Sequence, residues 1–126
     1  MERSKDWLRQ AEKDLEHALH SIEAKDYEWA CFSAQQSAEK AIKAVYQKNH
    51  IEAFGHSITK LLENLKEKPS DEIIECAKIL DKFYIPTRYP NSFDTGAPCD
   101  YFTEKEAKEA IKCAEKIIRF CKELLK

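Results

Sequence analysis

The sequence predicts an all-α protein, an up-and-down four-helix bundle with one additional short helix, and three observations carry that prediction. Apolar residues recur every three or four positions through most of the chain, the spacing that gathers them on one side of a helix. No stretch alternates apolar and polar residues with β-branched enrichment, so no strand is expected. The 2 glycines and 4 prolines fall between the periodic segments and not inside them.

The first segment runs from about Ser4 to Ile22 and lines up Trp7, Leu8, Ala11, Leu15, Ala18, Leu19 and Ile22. The second, from about Asp26 to Lys48, carries Tyr27, Ala30, Phe32, Ala34, Ala38, Ala41, Ile42, Val45 and Tyr46, and its alanines allow a neighbouring helix to come close. Gly55 and His56 then break the pattern. A short helix from about Ser57 to Glu67 buries Ile58, Leu61, Leu62 and Leu65 until Pro69 ends it. Ser70 is a suitable N-cap for a fourth helix, Asp71 and Glu72 suit its positive end, and Ile73, Ile74, Ala77, Leu80, Phe83 and Tyr84 run inward as far as Pro86. Thr103 and Glu106 are spaced as a capping box. They open a last helix to the C-terminus, with Ala107, Ala110, Ile111, Ala114, Ile117, Ile118 and Cys121 inside.

At 126 residues the chain is expected to form one domain, residues 1–126. A formal charge of -2 removes the generic case for a nucleic-acid binder, so any such contact needs a local patch. No apolar run approaches the ~20 residues that span a bilayer, and the start has no signal-peptide core, so a soluble cytoplasmic protein is expected. The 5 cysteines are scattered without a C-x-x-C, which predicts reduced thiols rather than a disulfide framework or a zinc site. Too few glycines exist to write a Walker A loop or a G-x-G-x-x-G turn. No histidine stands three residues after a glutamate, so no metal centre of the Glu-x-x-His kind is expected, and no cofactor is implied. His17 and His20 share a solvated helix face. His56 is suited to a structural role at a helix start.

Residues 84–102, YIPTRYPNSFDTGAPCDYF, form the one connection longer than an ordinary bundle loop, and their five aromatics argue against disorder. Arginine is scarce in the chain, and Arg88 lies in this loop between Pro86 and Pro90. A planar five-donor fork suits bidentate contact with phosphate or carboxylate, and Tyr89 beside it offers a face for a base. The alternative is an ion pair of Arg88 with Asp94 or a glutamate that pins the loop to the bundle. On the second helix Gln36, Glu39, Lys40 and Lys43 form a polar stripe whose ordinary reading is a solvated face.

In order, the chain shows A-x-x-D-L (Ala11 to Leu15), Y-x-x-A-x-F-x-x-Q-Q-x-A-E-K-A-x-K-A (Tyr27 to Ala44), G-H-S-I-x-x-L-L (Gly55 to Leu62) and Y-I-P-T-R-Y-P-N (Tyr84 to Asn91). Over nearly its whole length this resembles the HEPN domain, named for higher eukaryotes and prokaryotes nucleotide-binding. The resemblance implies a helical bundle that usually dimerises and is often encoded beside a minimal nucleotidyltransferase in toxin–antitoxin pairs. Many members are metal-independent ribonucleases that use an arginine followed, after four to six intervening residues, by a histidine. Arg88 matches the arginine, but Phe93, Asp94 and Thr95 stand where the histidine belongs.

The expectation is therefore a non-catalytic homodimeric HEPN protein that holds a nucleotide or RNA phosphate with Arg88, Tyr89, Asn91 and Lys43 and partners a nucleotidyltransferase. One alternative is a ribonuclease in which Asp94 or a partner chain's His56 serves as base. The other is a structural dimerisation module. By the same resemblance, Tyr84 or Tyr89 is a candidate for adenylylation by such a partner.

Overall fold

The computed structural model describes residues 1–126 as five α-helices: α1 Ser4–Glu23, α2 Tyr27–Lys48, α3 Ile58–Glu63, α4 Asp71–Asp81 and α5 Glu104–Leu124. Two 3-10 turns, Pro90–Ser92 and Pro98–Asp100, lie in the last connection, and there is no strand. The all-α prediction holds, with four longer helices and one short one. Helix α2 is central and packs against all four others. Its Ala30, Ala34, Ala38, Ala41 and Ala44 are all fully buried, so side chains of one carbon let the flanking helices approach its backbone. Ile42, Ile58, Leu62, Leu80 and Ile117 fill the space between. No helix is long and apolar enough to cross a membrane.

Three of the five helix starts follow side-chain caps, and those of α1 and α2 have none. Ser57, Ser70 and Thr103 each accept a hydrogen bond from the backbone N–H three residues on, and the Glu106 carboxylate in turn accepts from the Thr103 N–H at 3.1 Å. The ends differ from expectation. Helix α3 stops at Glu63 and not Glu67, because Leu65 N–H turns back to the Leu62 carbonyl and Lys68 Nζ takes the Glu63 carbonyl at 2.8 Å. Helix α4 stops at Asp81 and not Tyr84. The Asp81 carboxylate there accepts from the N–H groups of Ile58 and Thr59 at 2.7 and 3.1 Å, capping the start of α3 and tying the two helices together. Leu19, expected inside, is 47% exposed at the rim of α1.

Four cysteines are buried and Cys99 is exposed. A disulfide-exchange reagent such as Ellman's is therefore expected to titrate one thiol per native chain and five in denaturant. Burial raises the thiols of Cys31, Cys113 and Cys121 to about 12. An unfolded thiol titrates near ~8.5, so above that pH the unfolded chain releases protons the folded chain retains. This contribution to stability is intact below about pH 8.5 and is lost as pH rises toward 12, at about 1.4 kcal/mol per pH unit for a fully buried thiol such as Cys121. Calorimetry from pH 8 to 11 should show a falling midpoint, and Cys121→Ala should flatten the slope.

Candidate functional site

The site is made where the chain leaves α4. That helix has already ended at Asp81, and Pro86 keeps it from resuming, so the Arg88 N–H turns to the Ile85 carbonyl and the carbonyls of Phe83 and Tyr84 receive no backbone donor from Thr87 or Arg88. Side chains of those same residues replace them. Thr87 Oγ1 donates to the Phe83 carbonyl at 2.6 Å, and Arg88 Nε donates to the Tyr84 carbonyl at 3.0 Å. Thr87 is thereby buried, and the Arg88 side chain is pulled back over the bundle.

The rest of the loop is braced by its aromatics. Phe93 stacks on Tyr101 with centroids 4.2 Å apart and meets Phe102 edge-on, and Phe102 in turn packs edge-on against Phe83 of the core. Gly96 turns the chain at φ +82°, where a Cβ would stand 3.1 Å from both Asp100 Oδ2 and Tyr101 Cε2.

Pulled back in this way, the Arg88 guanidinium lies over three rings. Its Cζ is 4.3 Å from the centroid of Phe32, 4.7 Å from Tyr84 and 5.1 Å from Tyr89. Aromatic faces attract the cation without neutralising it. No carboxylate lies within ion-pair distance of Arg88, and Asp94 is exposed and unpaired. The two terminal nitrogens keep their N–H donors for an external acceptor, the arrangement a phosphate or carboxylate oxygen pair fits.

Tyr84 links this cation to a second group. Its ring stacks on His56 with centroids 4.5 Å apart and 18° between planes. His56 Nδ1 lies 3.1 and 3.2 Å from the two oxygens of Glu39, which is only 4% exposed. Lys43 Nζ donates to Glu39 at 2.9 Å and Gln35 Nε2 donates at 3.1 Å, so the buried carboxylate is paired and hydrogen-bonded on both oxygens. Because a carboxylate can only accept, Nδ1–H donates to it, and Nε2 is left as the uncommitted ring nitrogen of His56.

A family model described as HEPN domain matches residues 4–124. The chain belongs to the HEPN family. It is similar to TT1696 from Thermus thermophilus, with a TM-score of 0.96 and 45% identity over 98% of this chain and 99% of that one. It is similar to ST0689, an archaeal HEPN homologue, with a TM-score of 0.87 and 47% identity over the full length of both chains. A HEPN domain protein from Thermotoga maritima aligns with a TM-score of 0.77 and 38% identity, over 95% of this chain and 97% of that one. A Methanocaldococcus jannaschii protein named "Putative toxin MJ1304" is 28% identical over 95% of this chain and 86% of its own.

Within this HEPN fold, Arg88 and Tyr89 come together and Asn91 lies exposed beside them in a 3-10 turn. Lys43 does not join them. It is committed to Glu39, and it lies eleven residues along α2 from Phe32, about 16 Å at the rise of a helix. The polar stripe of α2 is not a solvated face, because Glu39 is buried and bonded to three side chains. Three contributors escaped the sequence reading: Glu39 as an anchor for His56, and Phe32 and Tyr84 as the floor under Arg88. The signal for Glu39 was its setting, with Gln35 and Gln36 one turn before it on a helix lined by alanine on either side. A helix enclosed by neighbours cannot keep its polar stripe in water.

Proposed function

We propose that this HEPN protein binds the phosphate of a nucleotide or RNA at Arg88 and acts in a toxin–antitoxin-like system, as a homodimer paired with a minimal nucleotidyltransferase. The observation that carries the phosphate reading is a guanidinium held over three rings with no carboxylate partner. The system reading is supported by the family and by the name of the Methanocaldococcus relative. Isothermal titration with AMP, ATP and a short RNA tests the first part: binding by the native protein and its loss in Arg88→Ala support it, and equal binding by both overturns it. Co-purification with the nucleotidyltransferase of a neighbouring gene tests the second.

One observation favours a second reading, a metal-independent ribonuclease. His56 of the same chain rests on the ring that also carries Arg88, and Glu39 fixes its tautomer. No partner chain is needed to bring that histidine near the arginine. Nε2 would take the proton of a 2′-hydroxyl as its oxygen attacks phosphorus, Arg88 would steady the charge on the scissile phosphate, and the same proton would pass to the departing 5′-oxygen, giving a cyclic phosphate and a 5′-hydroxyl end. Incubation with RNA in excess EDTA decides it. Cleavage that disappears in both Arg88→Ala and His56→Ala makes the protein an enzyme, and intact RNA leaves it a binder. Asp94 has no bond to any member of the site, so Asp94→Asn is expected to leave either activity unchanged.

A further inference from the structure

Helix α2 buries 13 of its 22 residues, yet Trp29, in its first turn, is 47% exposed. A tryptophan face left in water forfeits some of the most favourable burial any side chain offers. Its position is informative: the Trp29 ring meets Phe32 edge-on at 6.0 Å, and Phe32 is the ring closest to the Arg88 guanidinium, at 4.3 Å. Tyr89, also 47% exposed, flanks the same guanidinium at 5.1 Å. An unpaired planar cation thus has one half-exposed aromatic side chain, Tyr89, beside it and another, Trp29, one ring away across Phe32. Aromatic faces that stack bases beside a cation that takes the backbone are the elements of a single-strand nucleotide site.

We propose that Trp29 is a stacking platform for the nucleobase attached to the phosphate held by Arg88. The inference rests on the phosphate reading above and makes the preferred ligand a nucleotide or single-stranded RNA, bound more tightly than a bare phosphate group or a sugar phosphate. Charge complementarity favours this occupant over an apolar partner surface, because a protein face laid on Trp29 and Tyr89 would have to leave Arg88 desolvated or bring its own carboxylate.

The test uses Trp7→Phe protein, in which Trp29 is the sole tryptophan, and follows its fluorescence during titration with AMP, an adenine tetraribonucleotide and ribose 5-phosphate. Quenching by the first two and none by the third is expected. Trp29→Ala should weaken AMP and tetranucleotide binding by about tenfold, one lost base stack, and leave ribose 5-phosphate binding unchanged. Equal affinity for AMP and the tetranucleotide assigns a single nucleotide, and tighter binding of the tetranucleotide assigns a strand. If Trp29→Ala binds AMP as the native protein does while Arg88→Ala does not, the platform is overturned and the phosphate site stands. If neither the native protein nor any variant binds, both are overturned. If Trp29→Ala lowers the oligomeric state in sedimentation, the ring belongs to a protein interface and the platform is again overturned.

Discussion

Replacing Arg88 with alanine is expected to weaken nucleotide or RNA binding by about ten- to a hundredfold, the effect of removing a charge-assisted hydrogen-bonding pair worth roughly 1.5–3 kcal/mol. The more discriminating substitution is Arg88→Lys. A lysine restores the charge but has no Nε to donate to the Tyr84 carbonyl and no plane to lie over Phe32, Tyr84 and Tyr89. Its ammonium is expected to recover at most a small part of the loss. If charge alone held the ligand, Arg88→Lys would bind almost as well as the native protein. Neither change should unfold the bundle, because Arg88 rides on the core without filling it. Equal thermal midpoints would separate lost binding from lost structure.

The largest expected effect on stability comes from Ile42→Ala. Ile42 is fully buried in the middle of α2, the helix every other one packs against, and its neighbours Ala38, Ala41 and Val45 are themselves short or already buried. Such a site collapses poorly, so the lost transfer energy and the cavity add to about 2–5 kcal/mol, a fall in thermal midpoint of roughly 10–20 °C. Leu19→Ala removes an equally apolar side chain from the exposed rim of α1 and should change stability by less than about 0.5 kcal/mol. Urea denaturation of the pair measures the difference between an apolar residue that periodicity placed correctly and one that it did not.

That contrast marks how far the sequence could be read. Helix starts were legible because an N-cap is a local matter: Ser70 and Thr103 satisfy donors two or three residues away, whatever the rest of the chain does. Helix ends were not. Helix α4 stops at Asp81, whose carboxylate serves the start of α3 twenty-three residues earlier, while the N–H groups of Lys82 and Phe83 turn back to Ile79 and Leu80. Helix α3 ends where a lysine reaches back to its last carbonyl. Periodicity also cannot separate the centre of a core from its rim. Phe32 and Tyr84 were expected inside with the alanines and isoleucines, yet both are only half-buried and form the floor of the site.

The site itself divides in the same way. Arg88 stood out by scarcity, by its prolines and by its match to a family arginine, all local properties of residues 84–102. What makes it free to bind is global. The candidate partner Asp94 stays in solvent, and the only groups that meet the guanidinium are rings from α2 and the loop together with one carbonyl. His56 looked like a cap because GHS begins a helix, and Ser57 does cap it. The histidine ring turns instead toward Glu39 and Tyr84. Only the packing of the α2–α3 connection onto α2 could reveal that.

The central claim, that Arg88 is the anion-binding group of this fold, is tested most directly by observing the guanidinium during ligand addition. The chain has four arginines, so the Nε–H signals of uniformly 15N-labelled protein are few, and Arg88→Lys identifies one of them by its disappearance. Titration with AMP should shift the Arg88 signal at the lowest ligand concentrations while those of Arg3, Arg9 and Arg119 stay in place. A ligand that binds and leaves the Arg88 signal unmoved, or moves all four alike, would contradict the account.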